Sequence, residues 1–315
     1  MKSSNIGGQA VLEGIMMRHK DKYSVAVRKP DGEIEVKVEP YKPLVPWKGA
    51  YKIPIIRGVF SFLESLVVGT KCLMYSSTFY EEEDAPRPQN AREEEAFRKK
   101  KEKEDRALMT GAIVMSLLLC VGLFIMLPYF ASRLLRLVTT SETMITILEA
   151  CIRLVIFFGY ILLISRMKDI QRTFMYHGAE HKCINCIEHG MELNVENVLK
   201  SSREHKRCGT SFLFFVVIVS VIFFLFIHVE SPLGRIVIRL LLIPVIAGVS
   251  FEIIRLAGNS ENPVVSLLSK PGLLLQRLTT AEPDASMVEV AIAAVEAVFD
   301  WRTYLKENGI EVDTK

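Results

Sequence analysis

Four long apolar runs dominate the hydrophobic pattern of this 315-residue chain, over residues 107–130, 145–165, 211–229 and 236–256. Each run has about 20 residues, the length of an α-helix that crosses the hydrocarbon core of a bilayer. The first and third runs contain no Asp, Glu, Lys or Arg, whereas a helix at the edge of a globular core has a polar face. The pattern predicts a mainly α-helical, polytopic membrane protein with four transmembrane helices.

The N-terminal region shows a different pattern. Polar and apolar residues alternate over residues 24–28 and 33–38, and a Pro-Asp-Gly sequence lies between them. A period of two with turn residues at the tip predicts a small β-hairpin. Residues 55–80 then carry an apolar stripe at helical spacing, which predicts a helix that packs on the spans rather than lying in the membrane interface.

These patterns divide the chain into four predicted parts. The parts are an N-terminal cytoplasmic or membrane-proximal module over residues 1–80, a charged linker over 81–106, a four-helix transmembrane domain over 107–256 that includes a cytoplasmic connection over 166–210, and a C-terminal cytoplasmic helical segment over 257–315. In the last part, Asp284 is placed to cap a final helix over residues 285–304.

Charge adds an orientation to this arrangement. The 39 Lys and Arg residues nearly balance the 36 Asp and Glu residues, so the net charge of +3 gives no basic footprint for nucleic acid. Lys and Arg gather before the first apolar run and in the connection 166–210, which places the N-terminus, that connection and the C-terminus in the cytoplasm. No cleavable signal peptide is visible. The bilayer is the expected partner, and the cytoplasmic modules can also bind a protein partner.

The candidate chemistry lies in the central connection. Four of the six histidines fall between His177 and His205, and two of them form the sequence HGAEH at residues 177–181. On a helix, His177 and His181 are four residues apart and share one face, so both imidazoles can bind one ion. Glu180 lies one turn from His177 and can act as a general base. This is the H-x-x-E-H pattern of the inverted zincins, which predicts a catalytic zinc or another divalent metal.

A catalytic zinc needs a third protein ligand and an open position. In inverted zincins the third ligand is a downstream Glu, and Glu252 near the cytoplasmic end of the fourth apolar run fits that place, with an ion pair to Arg255 or Arg153 as the alternative reading. His205 and Cys208, just before the third run, are the other leading candidates.

Two alternatives to a catalytic site remain open from the sequence. Cys183 and Cys186 form a CxxC that could complete a structural zinc site with His177 and His181, although no second CxxC accompanies it. The second alternative is a polar cytoplasmic helix whose histidines coincide by chance. Disulfides are not expected, because thiols on the cytoplasmic side stay reduced.

Four sequence blocks together resemble a known family. They are GGQAVLEGIMMR at residues 7–18, YHGAEHK at 176–182, RCGTSF at 207–212 and KPGLLLQRLTTAEP at 270–283. The combination spans the chain and resembles the YqhQ-like family of bacterial multi-pass membrane proteins. The resemblance implies a protein of the bacterial cytoplasmic membrane. The family is classed as of unknown function and has been labelled a predicted metal-dependent enzyme, and the resemblance implies no substrate. The GGQAVLEG block either lines the histidine site, through Gln9 and Glu13, or forms only a tight turn.

The leading functional hypothesis is therefore a membrane-embedded metal-dependent hydrolase, with peptidases as the first class to test. His177 and His181 would bind zinc, Glu180 would activate water, and Glu252, His205 or Cys208 would complete the site. A non-enzymatic membrane scaffold or regulator, with a structural metal or none, is the second hypothesis. A small transporter is the third, although four spans without an internal repeat are few for that class.

Overall fold

The computed structural model describes residues 3–47, 49–80, 91–137, 139–227, 229, 231–260 and 262–310. The helices within this part of the chain are α1 (Ile56–Ser77), α2 (Ala91–Val121), α3 (Leu127–Leu134), α4 (Glu142–Ile164), α5 (Lys168–Glu188), α6 (Val195–Lys200), α7 (Gly209–Phe226), α8 (Pro232–Asn259), α9 (Pro263–Thr279), α10 (Ala285–Glu296) and α11 (Trp301–Glu307). The chain divides into two compact units. The first contains Met1–Tyr80, Ile161–Phe223 and His228–Lys315, and the second contains Glu81–Tyr160 and Phe224–Ile227.

A four-stranded antiparallel meander begins the first unit, with strands β1 (Gly7–Val11), β2 (Gly14–His19), β3 (Lys22–Arg28) and β4 (Ile34–Pro40). The pairing of β3 with β4 confirms the predicted hairpin. Strands β1 and β2 were not predicted, because the sequences GGQAV and GIMMRH do not alternate polar and apolar residues. Strand β2 has four consecutive buried residues, and β3 has five. Such a run is typical of a strand covered on both faces. The turn between β1 and β2 places Glu13 at a φ of 48°.

Helices cover both faces of this sheet. On one face, Ile15, Met17 and Ala26 pack into the larger hydrophobic core with residues of α5 and α10. On the other face, Met16 and Val25 pack against the C-terminal half of α1 around the buried Cys72. The first unit therefore has a layered order in which the sheet lies between α1 and the pair α5 and α10. This order brings β1 against α5, the helix that carries the HGAEH sequence.

The C-terminal segment supplies the rest of the core. Asp284 caps α10 as predicted, because its carboxylate accepts a hydrogen bond from the Met287 amide over 2.9 Å. The predicted single final helix is interrupted, since α10 ends at Glu296 and Asp300 caps a separate helix, α11. Helix α9 precedes Asp284 and lies within the predicted C-terminal helical segment.

Five helices in the described part of the chain are long and apolar enough to cross a membrane, not four. Four of them, Ala107–Ser132, Thr143–Ile164, Gly209–Phe226 and Ile236–Asn259, match the predicted spans, and the fifth is α1. The prediction of four spans excluded α1 because Arg57, Glu64 and Lys71 interrupt its apolar pattern. The structure buries Glu64 and pairs Arg57 with Glu252, so of these three charged residues only Lys71 is exposed without such a contact.

The expected packing of α1 on the spans is confirmed by its contact with α8. A Cβ atom added to Gly58 would lie 2.7 Å from the Phe251 Cβ, and one added to Gly248 would lie 2.6 Å from the Ile55 carbonyl oxygen. Glycines on both helices thus permit a close backbone approach, as is common between helices in membranes.

The second unit contains α2, α3 and most of α4. Residues 91–106 of the predicted charged linker form the N-terminal part of α2, while residues 81–90 lie outside the described residues. Glu149 and Arg153, four residues apart in α4, form an ion pair at 3.0 Å, with both side chains buried.

Candidate metal centre

Three side chains meet between α5 and the start of α7. His177 and His181 lie on one face of α5, with their ring centroids 4.4 Å apart. Cys208 immediately precedes α7, and its Sγ is 3.3 Å from Nε2 of His177. One ligand atom from each of the three residues lies within 4.8 Å of the others. The predicted helical pair is therefore joined by Cys208, which was one of the predicted third ligands.

Backbone carbonyls orient both imidazoles. Nδ1 of His177 lies 2.9 Å from the Thr279 carbonyl oxygen, and Nδ1 of His181 lies 2.6 Å from the Arg203 carbonyl oxygen. A carbonyl only accepts, so each Nδ1 must donate, and in a neutral ring this leaves the Nε2 lone pair free. Metal-binding histidines are commonly held in this way by the nitrogen that does not bind the ion.

The electrostatics of the cluster favour a thiolate next to positive charge. Burial alone would raise the pKa of Cys208, but His177 and His181 outweigh that effect and hold its pKa well below the usual range. Burial likewise acts to lower the pKa of His177, whereas Cys208 and Glu180 raise it to about 9. A buried thiolate that requires a cationic neighbour is a good ligand for a divalent metal, which supplies that charge.

Glu180 lies buried on the same helix, beside the two histidines in sequence. Burial raises the pKa of its carboxyl, opposed by the charges of His181 and His177. The Gly8 amide donates a hydrogen bond to Oε1 over 3.0 Å. Strand β1 therefore brings the backbone of the GGQAVLEG block to Glu180.

Where β1 passes close to Glu180 of α5, the space at residue 8 admits only a glycine. A Cβ atom there would lie 2.4 Å from the Met16 carbonyl oxygen and 3.1 Å from Cδ of Glu180. The side chains proposed from the sequence have other partners. Gln9 lies against Gly69 of α1. Glu13 forms an ion pair with Arg172, which lies more than one helical turn before His177 in α5.

The segment after α9 is closely packed on α5 next to the histidines. A Cβ atom on Gly178 would lie 2.1 Å from the Ala281 carbonyl oxygen. The Ala281 amide donates to the Phe174 carbonyl over 2.9 Å, and Lys182 forms an ion pair with Glu282 at 2.9 Å. The block KPGLLLQRLTTAEP thus holds the carbonyl that orients His177.

The structure does not place Glu252 in the cluster. Its carboxylate forms a two-pronged ion pair with Arg57, with Oε1 2.7 Å from the Arg57 Nε, and also accepts from the Ile55 amide. The expected third ligand is thus an ion-pair residue between α8 and α1, and its partner is Arg57 rather than Arg255 or Arg153. The reason is the packing of α1 on α8, which supplies a cation that the local sequence of α8 does not reveal.

His205 also lies outside the three-residue group. Its ring centroid is 5.7 Å from that of His181, but its Nε2 lies 3.5 Å from the Glu188 carboxylate. Glu188 in turn accepts from Arg207 and from the amide and hydroxyl of Ser4. His205 therefore belongs to a polar cluster that fixes the N-terminus and the loop before α7.

Cys183 and Cys186 are buried in the main hydrophobic core with no disulfide, and neither joins the group of three possible ligands found among the described residues. The CxxC pattern thus contributes packing to the core. Sequence reasoning missed the Gly8 amide and the carbonyls of Thr279 and Arg203, because backbone groups leave no signature in side-chain chemistry. The only available signal was that Gly8 and Thr279 belong to the blocks that carry the family resemblance.

Comparison with known proteins agrees with that resemblance. The model of the family "Protein of unknown function (DUF1385)" matches residues 53–301, which include every residue of the three-ligand group. The uncharacterized protein YqhQ of Bacillus subtilis (strain 168) is 37% identical over 307 residues, covering 96% of this chain and 94% of that protein. No solved structure matches the chain at a significant level. Since the family match covers most of the chain and the relative almost all of it, the chain belongs to the DUF1385 family, whose function is unknown.

Proposed function

We propose that this protein is a membrane-embedded, metal-dependent hydrolase with its metal site on α5 and at the start of α7. The observation that carries the proposal is the convergence of His177, His181 and Cys208, with both imidazoles turned by backbone carbonyls. If the two histidines shared one face of a polar helix only by chance, we would not expect a cysteine 27 residues further along the chain to lie beside them. We would also not expect a backbone carbonyl to bind Nδ1 of each ring. The donor set fits a metal ion.

Zinc is the ion that these donors favour. Two imidazole nitrogens and one thiolate are borderline and soft ligands, which suit Zn²⁺ better than Mg²⁺ or Ca²⁺. Three protein ligands also leave a fourth tetrahedral position for water, as in catalytic rather than structural zinc sites. When bound, zinc would lower the pKa of that water and polarise a carbonyl group of the substrate.

Glu180 is the proposed general base. It follows His177 by three residues on α5, and burial raises the pKa of its carboxyl, as is common for a carboxylate that acts as a general base. The hydrogen bond from the Gly8 amide occupies one carboxylate oxygen and leaves the other for the proton. Gly8 thereby fixes the orientation of Glu180 without adding a charge.

The position of Cys208 suggests which substrates reach the site. Helix α7, one of the five candidate spans, begins at the next residue, so a metal bound by Cys208 would lie at the membrane surface. The basic residues of the connection 166–210 favour the cytoplasmic surface of the bacterial cell membrane. We therefore propose peptide segments of membrane-associated proteins as the substrate class to test first.

The second candidate is a non-enzymatic scaffold in which the metal only fastens α5 to α7. It is favoured by the burial of His181, Cys208 and Glu180, with 1%, 4% and 5% of their surfaces exposed. A buried site of this kind would have a fourth ligand that water or substrate cannot displace. The two candidates share the metal and differ in the open position.

The test is the metal content of the full-length protein purified in detergent, measured by elemental mass spectrometry. The hydrolase proposal predicts near-stoichiometric zinc in the wild type and in Glu180→Gln, and its loss in His177→Ala. His189→Ala is the matched control, because His189 is exposed and lies at the end of the same helix. Absence of bound metal from the wild type after incubation with zinc, manganese and iron would overturn the proposal.

A peptide-cleavage screen then separates the two candidates. Wild-type protein in nanodiscs would be incubated with a fluorogenic peptide mixture beside Glu180→Gln. Cleavage that is lost in Glu180→Gln while zinc is retained supports the hydrolase. The scaffold is supported if the wild type binds zinc that resists exchange and cleaves the peptides no faster than Glu180→Gln does.

A further inference from the structure

A second candidate site lies on the other side of the sheet from the metal centre. A cavity of about 290 Å³ lies among β2, the segment after β4 and the N-terminal half of α1. Its polar lining consists of Arg18, Tyr41, Tyr51, Ser61 and Glu64. This volume is near the lower end of the range for small-molecule pockets. Nothing in the proposed hydrolase mechanism uses these residues.

Arg18 supplies a positive charge with no protein partner in the cavity. Its guanidinium carbon lies 3.4 Å from the centroid of the Tyr41 ring, in a cation–π contact. No carboxylate within the described residues lies at ion-pair distance from Arg18, and no acceptor there takes a hydrogen bond from it. Stacking on Tyr41 holds the guanidinium while its N–H groups stay available to bind an anion.

Glu64 does not neutralise this charge directly. Its buried carboxylate accepts hydrogen bonds from the hydroxyls of Tyr41 and Tyr51 and, over 3.0 Å, from the Leu44 amide. Three donors from the protein therefore satisfy Glu64 and fix the tyrosines that shape the cavity. The remaining chemistry is one free guanidinium and the Ser61 hydroxyl, which together favour an oxyanion.

The cavity lies near the start of a candidate membrane span. Phe62, next to Ser61, packs on Phe212 with the ring centroids 5.1 Å apart. Phe212 is in the first turn of the candidate span Gly209–Phe226. Near the cavity, Leu44 is 47% and Trp47 64% exposed, and exposed tryptophans beside apolar residues are typical of the headgroup region.

We propose that this cavity binds the phosphate group of a phospholipid headgroup, with the Arg18 guanidinium and the Ser61 hydroxyl as its donors. Arg18 would donate two parallel hydrogen bonds to phosphate oxygens, the geometry in which guanidinium and phosphate match. The exposed Leu63 and Leu66 on the same helix offer an apolar surface to the acyl chains. The site is independent of the metal centre and of hydrolase activity.

The test uses native mass spectrometry of the full-length protein titrated with phosphatidylglycerol, beside Arg18→Gln, Arg18→Lys and Ser61→Ala. Lys20→Gln is the matched control, since Lys20 is an exposed cation in the turn after β2. Because Arg18→Gln removes the charge-assisted hydrogen bonds to the phosphate, we expect its affinity for the lipid to be weaker by about tenfold or more. Arg18→Lys should keep part of the affinity and Lys20→Gln all of it. Thermal unfolding of each variant without lipid shows whether it is folded.

A competition arm identifies the source of the phosphate. A phospholipid site predicts that millimolar inorganic phosphate fails to displace the lipid. The lipid assignment would be overturned if inorganic phosphate displaced the lipid and the affinity did not depend on the acyl chains. Equal binding of phosphatidylglycerol to the wild type and to folded Arg18→Gln and Ser61→Ala would overturn the site itself.

Discussion

At the scale of single residues, Cys208 is the residue that completes the proposed metal centre. Its Sγ is buried against two imidazoles, which outweigh the effect of burial and hold the pKa of the thiol well below its usual range. The residue could be proposed from the sequence only as one of several candidates, because 27 residues separate it from His181. The helical spacing of His177 and His181, in contrast, already placed both rings on one face. Local periodicity predicted the pair, and tertiary packing selected its partner.

Replacing Cys208 with Ser should weaken zinc binding by more than the roughly 10- to 100-fold typical of losing an outer-shell partner, because a direct ligand is lost. The measurement is competition with a fluorescent zinc chelator. Cys120→Ser is the matched control, since Cys120 is exposed and outside the cluster. Unchanged zinc affinity in Cys208→Ser would contradict the assigned ligand set.

Glu180→Gln should leave zinc affinity within a few-fold of the wild type and lower hydrolytic kcat by about 100-fold or more, the usual contribution of a general base. The same purified samples give both values, by chelator competition and by peptide cleavage. A parallel loss of metal and activity would mean that Glu180 acts as a ligand or a structural residue instead.

Glu188 gives a prediction for pH dependence. Burial acts to raise the pKa of Glu188, but His205, Arg207 and Ser4 outweigh it and lower the pKa to about 2. A depressed carboxyl pKa stabilises the fold above the unfolded value of about 4.3 and loses that contribution as the pH falls towards 2. The contribution is at most about 3 kcal/mol, from roughly two pKa units at 1.36 kcal/mol each.

Thermal unfolding of the detergent-purified protein between pH 6 and pH 3 tests this expectation. The wild type should lose stability as the pH falls through this window, and Glu188→Gln should start less stable and lose less. Glu196→Gln is the control, because the exposed Glu196 pairs only with Lys200 on the surface. Parallel curves for wild type and Glu188→Gln would contradict the assigned contribution.

At the scale of elements, the site depends on how closely the segment after α9 approaches α5. Gly178 makes this approach possible, since any Cβ there would overlap the Ala281 carbonyl. Gly178→Ala should therefore destabilise the fold by about 1–3 kcal/mol, the usual cost of overpacking, and weaken zinc binding by shifting the Thr279 carbonyl. Unfolding midpoints and chelator competition measure the two effects.

Gly159→Ala is the matched control for Gly178→Ala. Gly159 is also within a helix, α4, and a Cβ there would meet nothing within 4 Å. Alanine has the higher helix propensity, so this variant should be as stable as the wild type or slightly more so. Equal stability of Gly178→Ala and Gly159→Ala would contradict the close approach of Ala281 to α5.

The elements also show where sequence patterns are sufficient. Alternation of polar and apolar residues predicted β3 and β4, although only β4 is largely exposed and β3 is buried along most of its length. The sequence of β2 lacks this alternation. In α1 the charged residues that interrupt the apolar pattern have partners elsewhere in the chain, since Arg57 pairs with Glu252 and Glu64 accepts hydrogen bonds from two tyrosines. For α1 the missing information is the identity of a distant neighbour, and the same holds for Glu252, whose partner is Arg57.

At the scale of the whole molecule, the positions of Lys and Arg lead to an expected topology with the metal centre at the cytoplasmic surface. This can be tested with single cysteines labelled by a membrane-impermeant maleimide. Ser231→Cys, in the exposed turn before α8, should react in intact cells, whereas Glu196→Cys in the central connection should react only after permeabilisation. The reverse pattern would place the centre outside the cytoplasm.

X-ray absorption at the zinc edge can test whether His177, His181 and Cys208 bind one metal ion together. If they do, we expect two nitrogen neighbours at about 2.0 Å and one sulfur neighbour at about 2.3 Å, with a fourth light-atom ligand. The sulfur should disappear in Cys208→Ser and persist in Glu180→Gln. A zinc spectrum without sulfur in the wild type, or two sulfur neighbours, would contradict this ligand set.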